Sequence, residues 1–400
     1  IFLSRTIGAE GLGIYQLVFP IMSLCLSLTG AGIQTALSRF VAEETAKANE
    51  AGARLYLMLG LLLSCSLSVL VSFVICRNAG FIASELLQEP RCESLLCAMT
   101  LCLVPASVHA CINGYYYGKQ KALIPSVSQL AEQVARVAGV YLICNIASDH
   151  GSTLRPVDAI WGIVIGEFFG MLISVTAVGF HHFSGSLKQS ARALIIMAVP
   201  LTANRVLINL CSSVENLLIP RQLRLFGYDS ANALSVYGIL TGMSLSVILF
   251  PTVLTNSVSV LLLPVISEAK TKKNTAAIHH AITSAIYYGL LLGFAFTLLF
   301  LFTADVIGNR IFCNTLAGTY IKILSWICPF MYLNALLSSI LHGLGYPKIP
   351  FYINLLGCAI RIVIIWVFIP LYGIRAGLSG MLVSQIVMAL LCIFSLRKLA

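Results

Sequence analysis

The chain has 400 residues, 58% of them hydrophobic and 10% charged, with a mean hydropathy of +0.93 and a formal net charge of +10. Soluble globular domains do not approach these values, so the composition excludes a water-soluble protein and defines an integral membrane protein. Long Leu/Ile/Val runs without two-residue alternation point to helices rather than a β-barrel, and the basic excess fits cytoplasmic loops beside anionic headgroups, not nucleic acid.

The sequence opens on Ile1-Phe-Leu-Ser-Arg5, directly before the glycine-rich run Gly8-Ala-Glu-Gly-Leu-Gly13, which reads as a loop. Too few apolar residues precede Arg5 to span about 30 Å of hydrocarbon, so the chain is expected to begin inside a truncated first helix. Spans are predicted at about 14–38, 54–76, 94–117, 123–146 and 157–180, then after a linker at 181–192 at about 193–218, 233–263, 277–302, 319–342, 348–369 and 374–396. With the remnant this makes an all-α protein of two six-helix lobes, 1–185 (helices 1 to 6) and 186–400 (helices 7 to 12), joined around Gly185.

An internal repeat supports that division. Adding 225 to Pro125, Gln129, Arg136, Gly118 and Glu43 gives Pro350, Asn354, Arg361, Gly343 and Glu268; an offset of 224 takes Pro105 to Pro329. Loops on one side of the predicted spans hold 13 Lys and Arg residues and those on the other hold eight, all arginine, so the first side is cytoplasmic. Pro105, Pro200, Pro251 and Pro329 interrupt spans and are candidate hinges.

Polar side chains run in stripes. Gln129, Glu132, Gln133 and Arg136 fall at i, i+3, i+4 and i+7, one face of a helix whose other faces carry Leu130, Val134 and Val137. The 193–218 span carries Arg205, Asn209 and Ser213 with Glu215 beside them, and the 14–38 span carries Ser23, Ser27, Gly30 and Gln34. Such faces need protein or a wet cavity, not lipid. A charge at mid-bilayer costs about 2.5–3.5 kcal/mol on insertion scales, so Arg136, Arg205, Arg361, Glu132, Glu167 and Glu215 each need a reason. One is internal neutralisation, as between Glu132 and Arg136 one turn apart. The other is a cationic cavity for an anionic headgroup, favoured by Arg361 having no carboxylate where Arg136 has Glu132. Under that alternative Arg136, Arg205 and Arg361 hold the anionic headgroup beside Gln129, Gln133, Asn209 and Asn354; with the resemblance described below, these imply a pyrophosphate held by the arginines, sugars hydrogen-bonded by the amides, and a coupling proton or sodium ion taken up by Glu132, Glu167 or Glu215.

His109 and His342, on apolar spans, read as hydrogen-bonded core residues rather than proton relays. Gly162, Gly166 and Gly170, like Gly289 and Gly293, are at helix-packing spacing. The 13 cysteines include no CxxC pair and no Cys/His zinc spacing, and act as small apolar fillers; no metal or cofactor is expected. Glu85, Glu89 and Glu93, spaced by four, read as an exposed helix edge, and no Ser/His/Asp set or paired loop carboxylates suggest an enzyme.

The segments Ser4-Arg-Thr-Ile-Gly-Ala-Glu-Gly-Leu-Gly-Ile-Tyr15, Ala36-Leu-Ser-Arg-Phe-Val-Ala-Glu-Glu44, Gln129-Leu-Ala-Glu-Gln-Val-Ala-Arg136 and Leu341-His-Gly-Leu-Gly-Tyr-Pro-Lys348 resemble the polysaccharide transporter family, its stage V sporulation protein B-like branch, within the MATE-like flippase superfamily. The resemblance implies two helical lobes in a V and a multi-pass protein of the bacterial cytoplasmic membrane, serving cell-wall polysaccharide synthesis or sporulation. It implies a flippase that exports an undecaprenyl-pyrophosphate-linked saccharide or peptidoglycan precursor by alternating access, with membrane lipids and H+ or Na+ as its other partners. The arginine pattern that lipid II flippases place in helices two and eight is not present here, so cavity roles are not carried over from them. Three alternatives stand beside it: a MATE-type exporter of organic cations, which needs an acidic cavity; a transport-inactive scaffold, which needs a sealed interior; and a membrane-embedded glycosyltransferase.

Overall fold

The computed structural model describes residues 2–149, 155–178, 187–272 and 274–399, and every regular element among them is a helix. Hydrocarbon demands this, because a helix satisfies its own backbone N–H and C=O groups where water cannot. In chain order the helices are α1 (Phe2–Thr6), α2 (Gly8–Ala46), α3 (Glu50–Arg77), α4 (Cys92–Gly118), α5 (Leu123–Asp149), α6 (Pro156–Ala177), α7 (Leu187–Leu225), α8 (Ser230–Leu249), α9 (Thr252–Thr271), α10 (Thr275–Ile311), α11 (Thr315–Ser325), α12 (Cys328–Gly343), α13 (Lys348–Tyr372) and α14 (Ile374–Leu399). Ten of the described helices are long and apolar enough to cross a membrane, and α11 with α12, bent by 52°, form an eleventh if taken as one span. The protein is a multi-pass membrane protein.

Each predicted span falls on a helix, but several details change. The 233–263 span is two helices, α8 and α9, parted at Phe250-Pro251. The expected Gly8–Gly13 loop is the first part of α2, because its glycines serve packing instead of a turn. A Cβ on Gly13 would lie 2.8 Å from the backbone carbon of Leu234, and one on Gly238 would lie 2.6 Å from the Gly13 nitrogen, so α2 and α8 touch backbone to backbone. Of the expected linker, residues 179–186, with Gly185, lie outside the described residues, and 187–192 are already helical. Pro105 and Pro200 sit inside unbroken α4 and α7, whereas Pro329 opens α12 just after the 52° bend. The matched prolines of the two halves therefore do not share one use.

In space the described residues form two compact units, 14–213 and 1–13 with 214–400. We propose the 1–185 and 186–400 division as one of sequence repeat; the spatial boundaries differ from it because α2 and α7 each run from one unit into the other. The 14–213 unit is built on Ile33, Leu37 and Val41 of α2, Ala53 and Leu57 of α3, Ile112 and Tyr115 of α4 and Leu194 of α7. Its counterpart is built on Ile266 of α9, Leu333, Leu337 and Leu341 of α12 and Met388 and Cys392 of α14. Large apolar side chains such as Phe73, Phe302 and Phe394 are left exposed, as lipid-facing surfaces require.

The offset of 225 recurs in the backbone itself. Asn49 and Asn274 each cap a helix, their side chains accepting from Gly52 N and Ala277 N at 3.0 Å. Single π-helical turns occupy Ile82–Leu86 and Ile307–Ile311. Left-handed backbone follows at Gln88 (φ 53°) and Cys313 (φ 54°), and again at Gln120 (φ 59°) and Gly345 (φ 78°). A Cβ on Gly118 would meet Ser38 O at 2.5 Å and Val41 Cβ at 2.8 Å, and one on Gly343 would meet Leu263 O and Ile266 Cβ at 2.9 Å, the same contacts shifted by 225.

Gly118→Ala and Gly343→Ala should each lower stability by about 1–3 kcal/mol through overpacking against a neighbouring backbone. Thermal unfolding of the detergent-solubilised protein reads this out. Gly80→Ala, whose Cβ would sit 3.5 Å from Glu93 Oε1, should leave the transition unchanged.

Candidate functional site

Within the 14–213 unit a cavity of about 630 Å³ is lined by polar groups from four helices, among them Gln34 of α2, His109 and Asn113 of α4, Gln129, Glu132 and Gln133 of α5 and Glu167 of α6. The α5 stripe explains its position. Leu130, Val134 and Val137 are more than three-fifths exposed while Glu132 is buried, so the helix keeps its apolar sides outward and its polar face in. On α6 the face formed by Gly162, Gly166 and Gly170 lets that helix close on the stripe. A Cβ on Gly166 would lie 2.9 Å from Arg136 Cβ and Glu132 O, and one on Gly170 would lie 3.0 Å from His109 Cε1 and 3.1 Å from Glu132 Cβ.

These approaches assemble a four-residue charged cluster. Arg136 Nη2 donates to Glu132 Oε1 and lies 3.6 Å from Glu167 Oε1. The outer oxygens of the same carboxylates flank His109 Nδ1, Glu132 Oε2 at 3.6 Å and Glu167 Oε2 at 3.8 Å. His109 Nε2 is 3.0 Å from Ser128 Oγ, which is also 3.0 Å from Pro125 O and 3.3 Å from Asn113 Oδ1. His109 is buried and hydrogen-bonded, as expected from sequence, and it also stands beside the two carboxylates. Its signal was available only as His109 and Asn113 one turn apart on an apolar span. His342, by contrast, bonds through Nδ1 to Ser338 O at 2.6 Å.

His109, Glu132 and Glu167 could each offer one atom to a metal ion, those atoms lying within 4.8 Å of one another. The set does not suit a divalent ion, because the Arg136 guanidinium already holds the carboxylates and would repel a dication.

The equivalent arginine in the other unit is also neutralised. Arg361 Nε donates to Glu215 Oε1 at 2.8 Å, Cys358 Sγ is 3.9 Å from Glu215 Oε2, and Arg361 Nη1 is 3.4 Å from Ser384 Oγ. No carboxylate stands where Arg136 has Glu132, as expected, but the inference that Arg361 is therefore unpaired is corrected. Gly357 stands where Glu132 stands in the first half, and the acid comes instead from α7, 146 residues away in sequence.

The remaining candidates separate. Gln129 and Gln133 line the cavity. Asn209 donates its amide to Ser27 Oγ and, at 3.4 Å, to Ser23 O, clamping α7 to α2. Asn354 is exposed on α13, and Arg205 is exposed on α7 with no ion pair to the described residues. Glu89 corrects the expected acidic edge: it lies in the turn before α4, is 4% exposed, and accepts from Arg91 Nε at 2.6 Å.

The fold is that of membrane transporters and flippases. A solved inward-facing multidrug resistance MATE family transporter of the MOP superfamily superimposes with a TM-score of 0.81 at 14% identity, covering 98% of this chain and 92% of that one. The solved lipid II flippase MurJ, in an inward closed conformation, gives 0.74 at 14% identity over 99% and 84%. In sequence, stage V sporulation protein B of Bacillus subtilis (strain 168) is 26% identical over 98% of this chain and 78% of its own length. The family model described as polysaccharide biosynthesis protein matches residues 1–270, and the MatE model matches 200–367. The chain belongs to the polysaccharide biosynthesis protein family, and the two solved structures it superimposes on are a transporter and a flippase.

Arg361→Ala leaves Glu215 buried without its partner and should destabilise the protein by about 3–5 kcal/mol. The double change Arg361→Met with Glu215→Leu should recover most of that loss. Chemical denaturation in detergent compares the three.

Proposed function

We propose that the chain moves an undecaprenyl-pyrophosphate-linked saccharide, or a related peptidoglycan precursor, between membrane leaflets by alternating access. One observation carries this: a hydrophilic cavity of about 630 Å³, lined by the side-chain amides of Gln34, Asn113, Gln129 and Gln133, in a chain otherwise built for hydrocarbon. Amides present donor and acceptor together and so match sugar hydroxyls. The likeness to lipid II flippases supports the same substrate class. Gln129 and Gln133 bind saccharide in this proposal. Arg136 and Arg361 are committed to carboxylates, so the pyrophosphate contact falls to Arg205, which is exposed on α7 and is the remaining arginine of the polar stripes. The break at Pro251 and the bend before Pro329 are the places where helices flex as access alternates.

A second possibility, export of organic cations, is favoured by the lining itself, which includes Glu132 and Glu167 and, among the described residues, neither lysine nor arginine. A scaffold without transport has no use for an open cavity of this size.

Reconstituted in liposomes, the protein should translocate undecaprenyl-pyrophosphate-linked oligosaccharide. Arg205→Ala should slow this about tenfold or more, as losing a charged hydrogen bond to phosphate does, while Arg205→Lys retains part of the rate. Ethidium efflux without any movement of the lipid-linked saccharide would instead establish the cation exporter.

A further inference from the structure

Away from the cavity, side-chain contacts between α3 and α4 run as a ladder. Ser68 Oγ meets Ser107 Oγ at 2.5 Å, Ser72 Oγ donates to Thr100 O at 3.1 Å, and Cys76 Sγ lies 3.6 Å from Cys97 Sγ. The three α3 positions are spaced by four and so share one face of the helix. Small side chains along that face let the helices approach closely. The thiol pair is the last rung, placed by helix packing and not by a loop. We propose that Cys76 and Cys97 are a site of disulfide formation, a covalent staple between the ends of α3 and α4 that lie away from the cytoplasm. This is independent of what the cavity transports.

Several features separate this pair from cysteines that only fill space. Cys76 is exposed at the end of α3, whereas Cys92 and Cys102, the neighbours of Cys97 on α4, are buried. The two sulfurs are already in van der Waals contact, and closing them to a bond of about 2.05 Å needs a movement of about 1.5 Å, which side-chain rotation supplies. Their side of the membrane is also the right one. Lys47 before α3 and Lys119 and Lys121 after α4 mark the lysine-bearing, cytoplasmic ends of these helices, so the opposite ends, at Arg77 and Arg91, face the compartment where disulfides persist. The repeat gives an independent argument. Adding 225 takes Cys97 to Lys322, and takes Gly80, one turn past Cys76, to Asp305. Lys322 Nζ lies 2.6 Å from Asp305 Oδ2 and ties α11 to α10. The equivalent helices of the other half are therefore joined at the equivalent level by an ion pair, where the first half has two thiols.

The oxidant is a low-molecular-weight or protein disulfide, R–S–S–R. Cys76, the more exposed thiol, loses its proton and attacks one sulfur, forming a mixed disulfide and releasing RS⁻. Cys97 then loses its proton and attacks Cys76 Sγ, forming the Cys76–Cys97 bond and releasing the second RS⁻. Two thiols give up two electrons and two protons, and one disulfide becomes two thiols. The closed loop runs from 76 to 97 and contains the whole connection between the helices, so the link restricts the unfolded chain as well as fixing the folded one.

The test exposes the full chain in liposomes to oxidised glutathione, blocks remaining thiols with N-ethylmaleimide and maps peptides by mass spectrometry without reduction. A peptide linking Cys76 to Cys97 is expected, with the other cysteines alkylated. Cys97→Ala should trap glutathione on Cys76, because the second attack is lost. Two free thiols, a Cys76–glutathione adduct persisting in the unmodified chain, or a link from Cys76 to any other cysteine overturns the proposal. Sidedness is read in intact cells: after reduction, a membrane-impermeant maleimide should label Cys76, and labelling that requires permeabilised cells overturns the outward placement. Thermal unfolding in detergent reads the staple itself. The linked chain should melt about 3 °C or more above the same sample treated with a phosphine reductant, a difference absent from Cys76→Ala. A linked chain that melts at the same temperature as its reduced form refutes the structural role.

Discussion

A charge placed among hydrocarbon-facing helices must find its opposite, and that demand shapes both units of this protein. Desolvating a carboxylate or a guanidinium is expensive enough that removing one partner of a buried pair is far worse than never having either. The chain meets the demand twice with matched arginines. Arg361 is balanced one to one by Glu215. Arg136 is shared by Glu132 and Glu167, whose other oxygens flank His109. Two repeats of one pattern have therefore diverged into a one-to-one ion pair in one unit and a four-residue cluster of two carboxylates, a guanidinium and an imidazole in the other.

Glycine makes those encounters possible. Side chains as short as Glu132 and His109 reach each other across three helices only because α6 presents Gly162, Gly166 and Gly170 along one face, admitting α5 and α4 within van der Waals contact. The same device holds the scaffold together at Gly118 and Gly343, where equivalent helices cross at equivalent points. In a bilayer, where apolar side chains gain little by leaving lipid for protein, such close approach is a principal source of helix association. The cavity's polar face and the packing face are consequently the same construction, and neither survives without the small residues opposite.

Much of this was legible without coordinates. Composition alone placed the chain in a membrane, apolar runs located the helices, and the 225-residue offset announced a repeat that the caps, π turns and left-handed residues then displayed atom by atom. The stripe from Gln129 to Gln133 shows in the sequence as one polar face, and it lines the cavity, because helical periodicity is a local property. The glycine-rich start differs for the same reason: glycine signals a turn locally, and only the neighbouring α8 reveals that here it marks contact. Asn209 looked like a ligand-binding amide until α2 was seen to occupy it.

What the sequence determined by itself was how each segment relates to its own axis: which stretches are helical, which faces are polar, and which positions correspond between halves. Only the tertiary structure decided which helix supplies each partner. Glu215 completes Arg361 from 146 residues away, and His109 joins Glu132 and Glu167 from a third helix. Periodicity fixes the direction of a side chain about its helix, but it holds no information on what stands opposite. That depends on the packing of all the helices at once.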